Sequence, residues 1–366
     1  MTIADTHAAD LTSVFSHPDM TIDPPHEQVV FCRDAATGLR AIIAIHNTAL
    51  GPALGGTRFY PYAAEADAVG DVLRLSRGMT FKSAAAGLDL GGGKAVIIGD
   101  PAIDKTPELL RAYGRFVDTL GGRYITAGDV GTTSDDMDLI GEGTRHVASK
   151  TVANGGCGDT APMTALGVFS SLLAAAERVW GSADLTGRTV GVEGVGKVGT
   201  QLTEKLLAAG AKVLAADPYA PAREAFATRF PQATIVDDVR AAQLDVYAPC
   251  AMGGTVTDRL AGETTAAIIC GAANNQLVTP DVEQLLGDRG IVWVPDYIAN
   301  AGGVIQAFSE QQDWTVEQLT TKVEDLRGRA GHVLQTAASK GITSGDAARL
   351  IVAERLSSAR SPLPDA

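Results

Sequence analysis

The sequence predicts an α/β protein of two domains, the second of them a doubly wound parallel sheet. Three observations carry this. The chain has 366 residues, more than a single core of ordinary size usually organises. From Thr189 onward, short apolar runs alternate with stretches of helical periodicity, the signature of consecutive βαβ units. Before that alternation, around residues 150–162, the segment VANGGCGDTAP is dense in small and turn-forming residues and reads as a hinge.

Taken in order, residues 1–27 are polar and irregular. EQVVFCRD and LRAIIAIHNT then read as two strands around the turn DAATG. From Ala63 to Met79 the period is helical, with Val69, Val72, Leu75 and Met79 on one face; Lys82 shares that face if the helix continues. GLDLGGG leads into the short buried strand AVIIGD, with Lys94 at its head. PELLRAYGRFVDTLGG is a helix that ends in glycines, and RYITAGDVGTT is a strand running into a loop. Beyond the hinge come the helix TALGVFSSLLAAAERVW, the strand TVGVEG, the helix KVGTQLTEKLLAAG and the strands KVLAADP, DVYAPC, AAIICGA and IVWVPD. Helical segments near 314–340 and 344–360 close the chain.

Composition narrows the function. Apolar residues make up 45% and charged residues 20%, as in soluble globular proteins. A formal net charge of −13 disfavours nucleic acid and anionic membrane as partners. The first twenty residues have neither a basic nor an apolar signal region, and no apolar run reaches the length of a membrane span, so a cytoplasmic protein is expected. Cys32, Cys157, Cys250 and Cys270 form no C-x-x-C pair and are expected to be buried thiols. The six histidines show no ligand spacing, and no metal is expected.

GLDLGGGK is not a phosphate loop. A G-x-x-x-x-G-K-[ST] pattern ending at Gly93-Lys94 needs glycine where Leu88 stands and a hydroxyl where Ala95 stands. The dinucleotide signal lies elsewhere. Gly194, Gly196 and Gly199 make G-x-G-x-x-G between an apolar strand and a helix with Val198, Leu202 and Leu206 on one face. One glycine suits the tight turn, one the approach of backbone amides to a pyrophosphate, one the packing of helix on strand. The loop Gly194, Val195, Gly196, Lys197, Val198, Gly199 and Thr200 is the expected cofactor cradle. Asp217, at the end of the next strand, is placed to bond a ribose 2′-hydroxyl and repel a 2′-phosphate, which favours NAD over NADP.

Three residues point to chemistry. Lys82 on an apolar helix face needs an anionic partner, unless it snorkels to the surface. Lys94 follows glycines that would let a small substrate approach closely, unless it merely starts a surface strand. Asp129, where a strand meets a loop in ITAGDVGTT, is placed as a general acid/base, though aspartate is also a common turn residue. GAANNQ, with Asn275, and PDYIANAGGVI follow strands of the doubly wound half, where ligands sit in such sheets.

These residues carry a resemblance. GPALGGTRFYPY, RGMTFKSAAAGLDLGGGKAVIIGDP, GRYITAGDVGTTSDDMD, GVGKVG, DVYAPCAMGG, GAANNQL and PDYIANAGGVI resemble the family of glutamate, leucine, phenylalanine and valine dehydrogenases, closest to the branched-chain members, from about Glu27 to Arg360. The resemblance implies a substrate and oligomerisation domain over residues 1–150, rejoined by the C-terminal helix at about 340–366, and an NAD domain over 151–339, with a cleft between them. It implies that Lys82 holds the substrate carboxylate beside the backbone of Gly55 and Gly56. Lys94 polarises the carbonyl and orients water, and Asp129 is the acid/base. Asn275 lies near the substrate's polar head and the nicotinamide, and Thr164 lies at the domain junction, close to the nicotinamide end of the cofactor. Leu54, Met79, Ala127, Val304 and Ala307 line the side-chain pocket.

The reaction so implied is reversible oxidative deamination: L-amino acid, NAD and water give 2-oxo acid, ammonium and NADH. Ala127, where phenylalanine-specific members have glycine, suggests valine, leucine or isoleucine. Gly128, where leucine dehydrogenases carry glutamate, and Ala307, in place of a larger valine, leave an aromatic amino acid as the alternative. No basic grouping marks a second carboxylate, which argues against glutamate. A 2-hydroxy-acid dehydrogenase would want a histidine–carboxylate pair and an arginine, and no such pattern surrounds the histidines; a silent NAD-binding protein would not need both lysines and Asp129. The family also implies a homo-oligomer, with strands near Val29 to Ile45 as the candidate interface.

Overall fold

The computed structural model describes His17, Met20 and residues 24–312 and 314–359. The chain forms two compact units. One takes the chain up to Gly158 and again from Arg355; the other comprises Asp159–Glu354.

The first unit is built on a five-stranded sheet. Its strands are β1 (Gln28–Asp34), β2 (Leu39–Asn47), β3 (Ala53–Tyr60), β4 (Gly91–Ile98) and β5 (Tyr124–Gly128), in the order β1-β2-β4-β3-β5. β2 runs antiparallel to both β1 and β4, and β3 runs parallel to β4 and β5. Side chains alternate between the two faces, so each strand serves two cores. Ile42, Ala44 and Val96 meet Ala68, Val72 and Leu73 of α1 (Glu65–Ala85). Ala41, Ile43, Ala95 and Ile97 meet Leu109, Tyr113 and Val117 of α2 (Pro107–Asp118), together with Met137 and Ile140 of α3 (Ser134–Gly141). Local signals set the helix starts. Thr106 accepts a hydrogen bond from the Leu109 amide ahead of Pro107, and Thr133 and Asp136 exchange side-chain-to-backbone bonds in a capping box. The returning C-terminal segment is tied down by Arg355, which donates to Ala84 O at 2.8 Å and to Asp89 Oδ1 at 2.9 Å.

Three sequence expectations change here. Lys94 is not at a strand head: β4 begins at Gly91, and Lys94 stands in its interior opposite Ala44 of β2. Glycine weakens strand propensity, but ladders on both sides carry Gly91–Gly93 into the strand regardless. β3 carried no strand signal of its own for the same reason, with Gly55 and Gly56 in its middle. Finally, α1 does continue through Lys82, but its buried face is Ala68, Val72, Ser76, Thr80 and Ser83. Val69, Leu75, Met79 and Lys82 ride on a half-buried flank. Close approach to the sheet explains this: a Cβ at Gly92 would lie 2.0 Å from the Thr80 amide nitrogen, leaving room only for small side chains beneath the helix.

The second unit is a six-stranded, all-parallel sheet of β6 (Thr189–Glu193), β7 (Lys212–Ala216), β8 (Thr234–Ile235), β9 (Val246–Pro249), β10 (Ile268–Ile269) and β11 (Val292–Trp293). The order is β8-β7-β6-β9-β10-β11, the doubly wound arrangement in which the winding reverses between β6 and β9. Its longer helices are α4 (Ala161–Trp180), α5 (Lys197–Ala208), α6 (Ala220–Arg229), α7 (Asp258–Glu263), α8 (Asp281–Asp288), α9 (Gly302–Ser309), α10 (Val316–Glu324), α11 (Leu326–Lys340) and α12 (Ser344–Ala359), the last ending among the residues of the first unit, and one short turn of helix spans Asp296–Ala299. None of the described helices is long and apolar enough to cross a membrane. None of the four cysteines is in a disulfide; Cys32 and Cys270 are buried as expected, Cys250 partly so, but Cys157 is exposed, because the small-residue segment that carries it packs little of itself away.

Candidate active site

In the first unit, strand alternation puts Leu54, Gly56 and Arg58 of β3, Gly92 and Lys94 of β4, and Ile125 and Ala127 of β5 on the α1 side of the sheet. Asp129, one residue beyond β5, continues that side. Lys94 is 6% exposed, and its Nζ lies 3.0 Å from Asp129 Oδ2. A buried lysine needs a paired anion, and Asp129 supplies it.

Asp129 does not stand on a loose turn. Its amide donates to Thr132 Oγ1 at 2.9 Å, and the Phe59 amide of β3 donates to Val130 O at 2.9 Å. Gly131 has φ +79° and sits where a Cβ would be 2.0 Å from Phe59 O, so only glycine closes this loop onto β3. Burial by itself would raise the Asp129 pKa. The charge and hydrogen bond of Lys94, and then those of Arg58, outweigh it and hold the carboxyl below its ordinary value. Asp129 is therefore ionised at neutral pH.

The glycines before Lys94 do not leave space for a substrate, as the sequence reading expected. Gly91, Gly92 and Gly93 are buried, and a Cβ would meet Asn47 O at 2.0 Å, Thr80 N at 2.0 Å and the Tyr124 ring at 2.7 Å respectively. They are glycine because protein already fills the space. Gly55 is likewise crowded, its Cβ position lying 1.7 Å from Gly93 O, and at Gly56 a Cβ would meet Asp129 Cβ at 2.8 Å. The β3–β4 register runs Ala53–Gly91 and Leu54–Gly92 and resumes at Thr57–Ala95, so Gly55 and Gly56 stand in the gap beside Lys94. Leu54 and Ala127 are buried on this side, and Met79 and Lys82 are half-buried on the flank of α1. Gly128 pairs with Thr57, on the opposite side of the sheet from Ala127, and a Cβ there would meet only Ser149 Cβ at 4.0 Å.

The sequence reading missed Arg58. Its Nε donates to Asp129 Oδ2 at 3.1 Å and one terminal nitrogen donates to Asp71 Oδ2 at 2.8 Å. The signal was present: Arg58 is two residues past Gly56, so any strand through GGTRF puts both on one face.

In the second unit, the Gly194–Thr200 loop joins β6 to α5 at the winding reversal. Its glycines divide the work as their spacing predicts. Gly194 has φ +94° and a Cβ would meet Ala251 N at 2.8 Å; at Gly199 it would meet Gly194 O at 1.9 Å; at Gly196, the residue that caps α5, it would meet nothing within 4 Å. The open side at Gly196 is where a pyrophosphate fits against the helix start. Asp217 caps the same loop, accepting from the Val195 amide at 2.9 Å and from the Tyr219 amide at 2.9 Å. Thr200 Oγ1 donates to Val195 O at 2.9 Å, and Lys197 Nζ is 3.1 Å from Asp159 Oδ2. These residues fit a dinucleotide.

Asn275 is exposed in a left-handed conformation, φ +52°. Its loop is latched by buried Gln276, whose amide nitrogen donates to Gly271 O at 2.9 Å and to Ala273 O at 3.1 Å and whose oxygen accepts from Trp293 Nε1 at 3.0 Å. Thr164 Oγ1 donates to Thr160 O at 2.9 Å in the first turn of α4, and Gly302 of α9 packs where a Cβ would be 1.9 Å from Met163 O. Val304 and Ala307 are buried in α9.

Residues 26–146 match the family model described as Glu/Leu/Phe/Val dehydrogenase, dimerisation domain, and residues 222–362 the model described as glutamate/leucine/phenylalanine/valine dehydrogenase. The valine dehydrogenase of Streptomyces coelicolor is 48% identical over 98% of this chain and 99% of its own length. The chain belongs to the Glu/Leu/Phe/Val dehydrogenase family. The leucine dehydrogenase of Bacillus subtilis is 46% identical over 90% of this chain and 91% of its own. Among solved structures, the L-tryptophan dehydrogenase of Nostoc punctiforme superimposes with a TM-score of 0.81 at 41% identity, covering 92% of this chain and 97% of that one. Residues 172–248 also match the NAD-binding domain of D-isomer-specific 2-hydroxyacid dehydrogenases, a stretch that holds the Gly194–Thr200 loop and not the residues around Lys94.

Proposed function

We propose that the protein catalyses the reversible, NAD-dependent oxidative deamination of a branched-chain aliphatic L-amino acid to its 2-oxo acid and ammonium. The observation that carries this is the Lys94–Asp129 pair: a buried lysine 3.0 Å from a carboxylate held ionised, on a sheet face whose glycine-lined backbone fixes both.

The Gly194–Thr200 loop and Asp217 would hold NAD, which would supply the hydride acceptor for the substrate Cα. Lys82 takes the substrate carboxylate. Asp129, ionised and with no hydrogen bond to Oδ1 among the described residues, accepts a proton from the substrate ammonium there. Lys94, its charge directed into the site, orients the water that attacks the resulting iminium carbon and stabilises the oxygen that develops. Asp129 passes its proton to the nitrogen and takes one from the added water; as the carbon–nitrogen bond breaks, the remaining hydroxyl proton goes to the departing ammonia, leaving 2-oxo acid and ammonium, and Asp129 releases its proton to solvent. General acid/base work of this kind contributes about 10²–10⁴-fold.

The branched-chain assignment is supported by Ala127, whose methyl narrows the α1 side of the sheet, and by the position of Gly128 on the other side, where its missing side chain does not enlarge the same space. The match to valine and leucine dehydrogenases over most of both chains points the same way. NADH formation at alkaline pH with a panel of L-amino acids, and NADP as the control cofactor, tests the reading. Valine, leucine or isoleucine is expected to lead, with NAD. A lead by phenylalanine or tryptophan would overturn the side-chain assignment alone; no turnover on any amino acid would overturn the function.

A homo-oligomer is part of this reading. Among the described residues β1 pairs only with β2, which leaves its other edge unpaired there, with Phe31 58% exposed on it. Sedimentation of the full chain is expected to give a multiple of 37.8 kDa.

A further inference from the structure

Asp129 receives two cations on one oxygen. Lys94 Nζ reaches Oδ2 at 3.0 Å and Arg58 Nε reaches the same atom at 3.1 Å. Arg58 is itself fixed from behind: a terminal nitrogen is 2.8 Å from Asp71 Oδ2, and Asp71, 8% exposed, also accepts from Tyr62 Oη at 2.6 Å and from Arg74 at 2.7 Å. A rigid fork held at both ends restricts rotation of the carboxylate it grips. The Asp129 carboxylate cannot turn without breaking two charge-assisted bonds.

We propose that Arg58 is a positioning residue for the reaction: it fixes Asp129 through Oδ2, so that Oδ1 is the oxygen presented to the substrate's amine proton. This rests on the reading of Asp129 as the acid/base. Arg58 touches neither substrate nor cofactor in this role; it acts through Asp129. Its charge also adds to that of Lys94 in keeping Asp129 ionised, while Asp71, Tyr62 and Arg74 lie on its far side and hold it in place.

The test uses the full-length protein with NAD and the amino acid it turns over best. Arg58→Gln removes fork and charge, and Arg58→Lys keeps the charge without the fork. Asp129→Asn is measured alongside. With Arg58→Gln, kcat is expected to fall about tenfold or more while KM for the amino acid stays within about threefold. The acid limb of the kcat/KM profile is expected to move up by about 1–3 pH units, because an oxygen that must be ionised has lost a neighbouring cation. Arg58→Lys is expected to leave that limb at its wild-type position and to recover part, but not all, of kcat.

Equal loss at every pH, with Arg58→Lys no better than Arg58→Gln, would assign Arg58 to the fold alone. Full kcat in Arg58→Lys would show that charge suffices and the fork positions nothing. Unfolding midpoints decide whether each variant is folded. If Arg58→Gln is not, Arg58→Lys still decides, since a folded variant with reduced kcat at unchanged KM supports the proposal and one with full kcat overturns it. Asp129→Asn with near wild-type turnover would remove the acid/base reading itself, whatever the Arg58 variants do; lost turnover there, with inert Arg58 variants, would sink only the positioning role.

Discussion

Two glycine clusters, one in each unit, look alike in the sequence and do opposite things. Gly91–Gly93 in β4 are glycine because protein atoms occupy the place of every missing side chain. Gly194, Gly196 and Gly199 are mixed: the outer two are crowded, and the middle one faces open space. The first cluster brings a helix down onto a sheet beside the charged corner where Lys94 meets Asp129. The second leaves one side of a helix start clear. A glycine run therefore reports either crowding or vacancy, and only the neighbours across space say which.

The largest effect should come from breaking the crowded cluster. Gly92→Ala puts a Cβ about 2.0 Å from the backbone nitrogen of Thr80, where neither helix nor sheet can yield cheaply. Overpacking of this severity is expected to cost about 3 kcal/mol or more, read as lost soluble protein or a lowered urea midpoint. Next is the chemistry that the cluster supports. Asp129→Asn is expected to lower kcat by about 10²–10⁴-fold with the fold intact; single-turnover and steady-state rates on the same preparation would check it.

The open cluster should respond in the reverse sense. Gly196→Ala has compatible backbone angles, φ −68° and ψ −160°, and no atom to strike. Stability is expected to change by less than about 1 kcal/mol, while KM for NAD rises about tenfold or more as the methyl meets the pyrophosphate. A large stability loss at Gly196 with unchanged NAD binding would erase the distinction between the two clusters.

The smallest effect is electrostatic. Asp129 has its folded pKa held below the ordinary carboxylate value by Lys94 and Arg58 against the opposing effect of burial. Its contribution to stability is fully present above the unfolded value of about 3.9 and is lost as pH falls through the lower folded value. Urea unfolding of wild type and Asp129→Asn is expected to show a constant difference from about pH 6 to pH 5, shrinking below about pH 4. A difference that grew on acidification would contradict the ion-pair account.

The regular elements were largely legible. β1, β2, α2, β5 and, in the second unit, β6, β7, β9, β10 and β11 follow from periodicity and caps, because each buries a face that its own residues announce; β8, a two-residue edge strand with neither residue buried, carries no such signal. The dinucleotide loop was legible to the level of single glycines, since G-x-G-x-x-G encodes a turn, an approach and a packing contact within six consecutive residues. Lys94 and Asp129 stand out in the sequence as candidate reacting residues, but their contact does not, being a consequence of β3 lying between β4 and β5.

What the sequence alone determined, then, is local: a doubly wound half with its nucleotide loop, a preceding α/β half, and a short list of charged residues beside glycines. Tertiary structure decided the rest. It drew Gly55–Arg58 and Gly91–Lys94 into strands against their propensity, because ladders on both sides outweigh the weak preference of glycine for a strand. It turned the buried face of α1 from Leu75 and Met79 to Ser76 and Thr80, because the helix comes too close to Gly92 for large side chains. And it put Arg58 on Asp129, a contact between residues 71 positions apart that only the order of strands in the sheet creates.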